Sequence, residues 1–141
     1  METMRIAFEP FIEEGARQFI VAGLDNQNSA ASGLPSYFPA NFVLRGEAGD
    51  VLGGLLGLVW GHWLHVTTLW ITEGARGRGH GTRLMRAAEA YAVTRGAVGA
   101  TLETHSFQAR PFYERLGYEV FGALEDCPRG HTKFFLRKRL G

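Results

Sequence analysis

Cysteine is almost absent from this chain of 141 residues: Cys127 stands alone, so no internal disulfide can form. That excludes a disulfide-stapled secreted scaffold and points to a reducing, cytoplasmic setting, with Cys127 an ordinary thiol. An excess of charge of one sign is also missing. The 15 Lys and Arg offset 14 Asp and Glu to a formal net charge of +1, without the basic surplus expected of a nucleic-acid binder. Met1-Glu2-Thr3-Met4-Arg5 leads into only three apolar residues before Glu9, so no secretory signal is expected. The one uncharged run, Val51 to Thr72, is long enough to span a bilayer. It is broken, however, by Gly53, Gly54, Gly57, Gly61, His62, His65 and three threonines. Two buried strands turning near Gly61-His62 explain it better, and no membrane partner is expected.

What is present describes one globular domain, residues 1–141. Apolar residues make up 45% and charged residues 21%, enough to bury a core without staples. The 19 glycines are about twice the average share and must answer backbone needs. Met4 to Phe8 reads as a first strand, and Pro10 opens a helix whose stripe (Ile12, Ala16, Phe19, Ile20) runs to about Leu24. Asp25 to Pro39 reads as a loop holding at most a short second helix. Strands are expected at Phe42–Glu47, Val51–Val59 and His65–Thr72. The clearest helix follows, with Leu84, Ala88 and Tyr91 on its apolar stripe, Arg83, Arg86 and Glu89 on another face, and Gly96 as its stop. A strand at Val98–Glu103, a short helix at Phe112–Leu116 ended by Gly117, and strands at Tyr118–Phe121 and Thr132–Arg137 complete an α/β domain.

Between a buried strand and the amphipathic helix lies Arg76-Gly77-Arg78-Gly79-His80-Gly81. The first N–H groups of a helix lack internal acceptors and its dipole adds partial positive charge, so such a junction suits an anion. Glycines admit a phosphate close to the backbone, and Arg76 and Arg78 add charge for a polyphosphate. The loop is not a Walker motif, because Gly81 is followed by Thr82-Arg83. The alternative is a plain glycine-rich turn with solvated arginines.

These residues resemble the acyl-CoA loop of the GNAT superfamily of N-acetyltransferases, Arg/Gln-x-x-Gly-x-Gly/Ala, through Arg76, Gly79 and Gly81, with Leu69-Trp70-Ile71 in the preceding strand. A second resemblance follows in Ala109-x-x-Phe112-Tyr113-Glu114-x-x-Gly117-Tyr118, although Ser106 stands where the family often has Asn. The string Ser106-Phe107-Gln108-Ala109, with Leu124-Glu125-Asp126, Pro128, Gly130-His131 and Lys138, is similar to a group of small bacterial GNAT proteins.

The resemblance implies a largely antiparallel, mixed sheet of six to seven strands flanked by about four helices, with a splay between the fourth and fifth strands. It implies direct transfer of an acetyl group from acetyl-CoA to a primary amine in a ternary complex. His62, His80, His105 and His131 show no metal-ligand spacing, so no metal is expected. The donor would be held by Leu69, Trp70, Ile71, Arg76, Gly77, Arg78, Gly79, His80, Gly81 and Thr82, and by Tyr113, which is also the candidate general acid. Packing of the channel alone is the other reading of Tyr113. Glu103, at the end of its strand, is the first choice for the base, followed by Glu73 and His65; a solvated or capping carboxylate is the alternative. The amine is expected between Asp25–Pro39 and Glu125–His131, where Asp25, Glu125 and Asp126 would attract a cation and Tyr37 and Phe38 pack its apolar part. Two competing readings are an acyl-CoA-sensing module without transfer, and an interaction protein dimerising through Trp60 and Trp63. A homodimer is possible under any of these.

Overall fold

Branched and small apolar residues along Val51–Ile71 form the middle of a sheet, turning at Gly61-His62 as the sequence suggested. The computed structural model describes residues 2–141 in two units, one ending at Ser36 and the other spanning Tyr37–Gly141.

In the first unit, residues 2–13 form neither helix nor strand, so the expected strand at Met4–Phe8 is absent. Alternation marks a strand only where a neighbour takes up its backbone groups. Helix α1 spans Glu14–Ser32, well beyond Leu24. The supposed loop from Asp25 onward has no Pro or Gly before Gly33, and its Ala, Asn, Gln and Ser residues oppose a helix only weakly. None of the residues of α1 is buried.

The second unit holds seven strands: β1 (Phe38–Pro39), β2 (Phe42–Arg45), β3 (Val51–Trp60), β4 (Trp63–Ile71), β5 (Gly99–His105), β6 (Glu119–Glu125) and β7 (Thr132–Arg139). They form one sheet in the order β1-β3-β4-β5-β7-β6, with β2 also paired to β3. Only β4 and β5 are parallel; the other pairs are antiparallel. After β4 comes a 3-10 turn, Glu73–Ala75, then helix α2 (His80–Thr94); helix α3 (Arg110–Arg115) follows β5, with Pro111 in its first turn. This is the mixed α/β architecture expected, with three α-helices among the described residues.

Leu84, Met85, Ala88 and Ala92 of α2 join Leu55, Leu64, Val66, Leu102 and Leu136 of the sheet in one buried cluster. Each fully buried Leu or Met contributes roughly 1.5–3 kcal/mol. Glu89, on a different face of the helix from the Leu84 stripe, is nevertheless buried. Its carboxylate accepts hydrogen bonds from Tyr118 Oη at 2.7 Å and from Lys138 Nζ at 3.0 Å, partners that make burial of the charge tolerable.

Candidate active site

Strands β4 and β5 pair only from Trp63↔Gly99 to Val66↔Leu102. Their outer neighbours continue further, β3 along β4 to Ile71 and β7 along β5 to His105. The facing edges of Thr67–Ile71 and Glu103–His105 therefore carry backbone groups with no strand partner, a site for an amide-bearing ligand. The strands part at a β-bulge. Val66 pairs with Gly57 and Thr68 with Leu56, leaving Thr67 as the extra residue, and Thr67 Oγ1 donates to Leu56 O at 3.0 Å. A bulge bends its strand and re-aims the backbone, and here it does so where the splay begins.

The opening is a cleft of about 300 Å³ lined by Thr67, Leu69, Trp70, Glu103, Gln108 and Tyr113, among others. A second space of about 400 Å³ shares Leu69, Trp70 and Ala109 with it and extends along Ile71, Arg76, Gly77, Gly79, His80, Gly81 and Phe112. Gly77 and Gly79 have φ of +75° and +80°, a turn that residues with a Cβ adopt only at a cost. The first reach back along α2 is Arg83 N–H to Gly79 O at 3.1 Å, so the preceding amides are left to a ligand. Arg76 Nε donates to Ile71 O at 2.8 Å, fastening the turn to the strand. Ten of the donor-binding residues were expected to act together in this region. Arg78 and Thr82 line neither space, whereas the other eight do.

Tyr113 projects from α3 and is buried at 8% exposure. Its ring meets Phe112 edge-on at 5.1 Å and Tyr118 at 6.2 Å. Its side chain lines the cleft. Burial pushes its pKa above the ordinary phenol value, which keeps it protonated and able to donate.

Glu103 lines the cleft, but Lys133 Nζ stands 3.0 Å from its Oε2. His65 pairs with Leu58 and Thr101, before the strands part, and Glu73 sits in the exposed 3-10 turn. Neither lines the cleft. The two acceptor segments fare differently. The Glu125–His131 connection adjoins the splayed end of β5: Ser106 N–H donates to Thr132 O at 2.8 Å, and Thr132 N–H to Ser106 Oγ at 3.0 Å. Phe38, by contrast, pairs with Val59, which pairs with Leu64 at the closed end of the β4–β5 pair. Tyr37 and Phe38 are thus away from the opening, and Asp25 falls within α1. The ring of Trp63, considered with Trp60 for a dimer contact, packs over Gly99, where a Cβ would stand 2.5 Å from it. Sequence reasoning missed the Thr67 bulge and Gln108, although the Ser106–Ala109 string pointed near the latter.

Among the described residues no group of three or more His, Cys, Asp or Glu is placed to hold a metal ion, and no helix is long and apolar enough to cross a membrane. An opened parallel pair leading to a glycine-lined helix N-terminus is the framework of an acyl-CoA-dependent transferase. The Acetyltransferase (GNAT) family matches residues 3–118, and the chain belongs to that family. Blasticidin-S acetyltransferase of Streptomyces morookaense is 47% identical over 96 residues, 67% of this chain and 71% of that protein. A crystal structure assigned as an acetyltransferase of Agrobacterium tumefaciens has a TM-score of 0.90 at 31% identity, covering 97% of this chain and 100% of that one. A Bacillus anthracis structure assigned as a streptothricin acetyltransferase, solved with acetyl coenzyme A, shares the fold with a TM-score of 0.66 at 17% identity, over 74% of this chain and 64% of that one. The chain is an N-acetyltransferase that uses acetyl-CoA.

Proposed function

We propose that the acceptor is a primary amine on a small molecule, acetylated directly within the splay between β4 and β5. The observation that carries this reading is the opening itself, with Tyr113 in its lining. Bound acetyl-CoA supplies an activated thioester carbonyl. The residues fit such a donor: Gly77, Gly79, His80 and Gly81 leave a glycine-lined space at the start of α2 for its phosphates, with Arg76 alongside and the exposed Arg78 and neighbouring Thr82 next to it. The edge of β4 from Leu69 to Ile71 offers backbone partners to the amide-bearing arm. Holding both reactants supplies proximity, worth effective molarities of roughly 10⁵–10⁸ M in well-oriented systems. Tyr113 donates a proton to the departing sulfur, an effect of roughly 10²–10⁴-fold. The Glu125–His131 connection borders the acceptor, where Glu125 and Asp126 attract its cation and Glu103 faces it from the cleft.

The similarity to blasticidin-S acetyltransferase makes that antibiotic the first acceptor to try. Purified protein, acetyl-CoA and blasticidin S, in parallel with a panel of small amines and of peptides, would be followed by thiol release and product mass. An acetylated small amine supports the reading. Acetylation of peptides alone overturns the small-molecule acceptor, and acetyl-CoA binding without transfer to any amine favours a sensing module.

A further inference from the structure

The backbone N–H of His105 donates to Gln108 Oε1 at 2.8 Å, and His105 Nδ1 lies 2.9 Å from the same atom. A backbone N–H can only donate, so the Gln108 atom that it meets is the amide oxygen and not the nitrogen. That oxygen can only accept, so Nδ1 is the ring nitrogen carrying the hydrogen. Neutral His105 is thereby held with its Nε2 lone pair free of a proton.

The ring also lies next to the wall of the cleft. His105 ends β5 and lies two residues beyond Glu103, so the two share a face of the strand. Thr104, between them, points the other way and is buried at 2%, its Oγ1 accepting from Ala109 N–H at the start of α3. Glu103 and Gln108 both line the cleft and His105 does not; its ring adjoins that lining through the contact with Gln108, on the strand face opposite Thr104. Phe107 stacks on the imidazole at 5.2 Å and 17°, and meets His131 edge-on at 4.9 Å. Glu103, the other base candidate, is already engaged by Lys133.

We propose that His105 Nε2 is the proton acceptor for the attacking amine and that Gln108 is a positioning residue that fixes its tautomer. This rests on the reading of the site as an amine acetyltransferase. The ammonium loses one proton to Nε2, and the freed nitrogen pair forms the C–N bond as the C–S bond breaks. The sulfur takes its proton from Tyr113. The second proton shed by the new amide nitrogen restores the phenol through solvent, and the imidazolium releases the first to water. Overall an ammonium and a thioester give an amide, a thiol and one proton. The charged and titratable groups around the ring are Glu103 on its own strand, Lys133 opposite it on β7, and His131 beyond Phe107.

Two measurements test this. In the free protein, ¹⁵N–¹H correlation of the imidazole should show the Nδ1–H tautomer for His105; an Nε2–H tautomer overturns the assignment whatever the activity. In turnover, His105→Gln should lower kcat/KM for the amine about a hundredfold and leave KM for acetyl-CoA within twofold. Gln108→Leu should lower kcat/KM about tenfold, while Gln108→Glu, which still accepts both hydrogen bonds, should retain most activity. A wild-type protein that acetylates amines beside a His105→Gln variant within twofold of it rejects the base and spares the acetyltransferase reading. A wild-type protein that binds acetyl-CoA and acetylates no amine rejects both.

Discussion

Gly81 and Phe112 pack closely where α2 meets α3: a Cβ on Gly81 would stand 3.2 Å from Phe112 Cζ and 3.6 Å from Ile71 Cδ1. Gly79 differs, having φ of +80° and open space around its absent Cβ. Two glycines of one loop thus serve two needs, a left-handed turn and a close helix contact. Gly79→Ala should cost about 1–2 kcal/mol of stability through its backbone conformation. Gly81→Val should cost about 1–3 kcal/mol by overpacking and also raise KM for acetyl-CoA, since it displaces the ring next to Tyr113. Thermal unfolding and calorimetric binding of CoA separate the two effects.

Tyr113→Phe removes the hydroxyl and keeps the ring that packs against Phe112 and Tyr118. A fall in kcat of roughly 10²-fold with KM for acetyl-CoA unchanged is expected. Steady-state kinetics with the chemical step shown to limit turnover checks this, and a kcat within twofold of wild type leaves Tyr113 only a packing role.

Glu89, Tyr118 and Lys138 join α2, the turn after α3 and β7 through one carboxylate. Glu89→Ala strands the Lys138 ammonium, whose side chain is only 20% exposed. A loss of about 3–5 kcal/mol is expected. Adding Lys138→Met should recover much of it, as urea unfolding of the single and double variants would show.

Burial, then the hydrogen bond and charge of Glu89, then the charge of Tyr113, raise the pKa of Tyr118 far above that of a free phenol. The folded chain keeps this proton at a pH where the unfolded chain releases it, near pH 10. Stability should be unaffected by this group below about pH 10 and fall as the pH rises further. Tyr118→Phe should flatten that alkaline decline in urea unfolding; an unchanged slope would show that the tyrosine is not its source.

The strands and the α2 stripe were legible because buried faces impose periods of 2 and 3.6 on the sequence. The turn that opens α2 was legible through its glycines. The Thr67 bulge was not: it is a register property, and Thr67 looks no different from Thr68 beside it. The burial of Glu89 was not legible because its partner Lys138 lies 49 residues away, and Glu103 looked free because Lys133 reaches it only across the β5–β7 pairing. Tyr37 and Phe38 were placed beside the acceptor by the fold that the resemblance implies, which does not reveal that β1 of this chain pairs at the closed end of the sheet.

The most direct measurement is a crystal structure of the chain with acetyl-CoA. The pantetheine arm should lie between β4 and β5 beyond Val66 and Leu102, with phosphate oxygens on the amides at the start of α2 and the thioester sulfur within about 3.5 Å of Tyr113 Oη. Acetyl-CoA bound elsewhere, or in the splay with its sulfur beyond the reach of that hydroxyl, would contradict the site described for this enzyme.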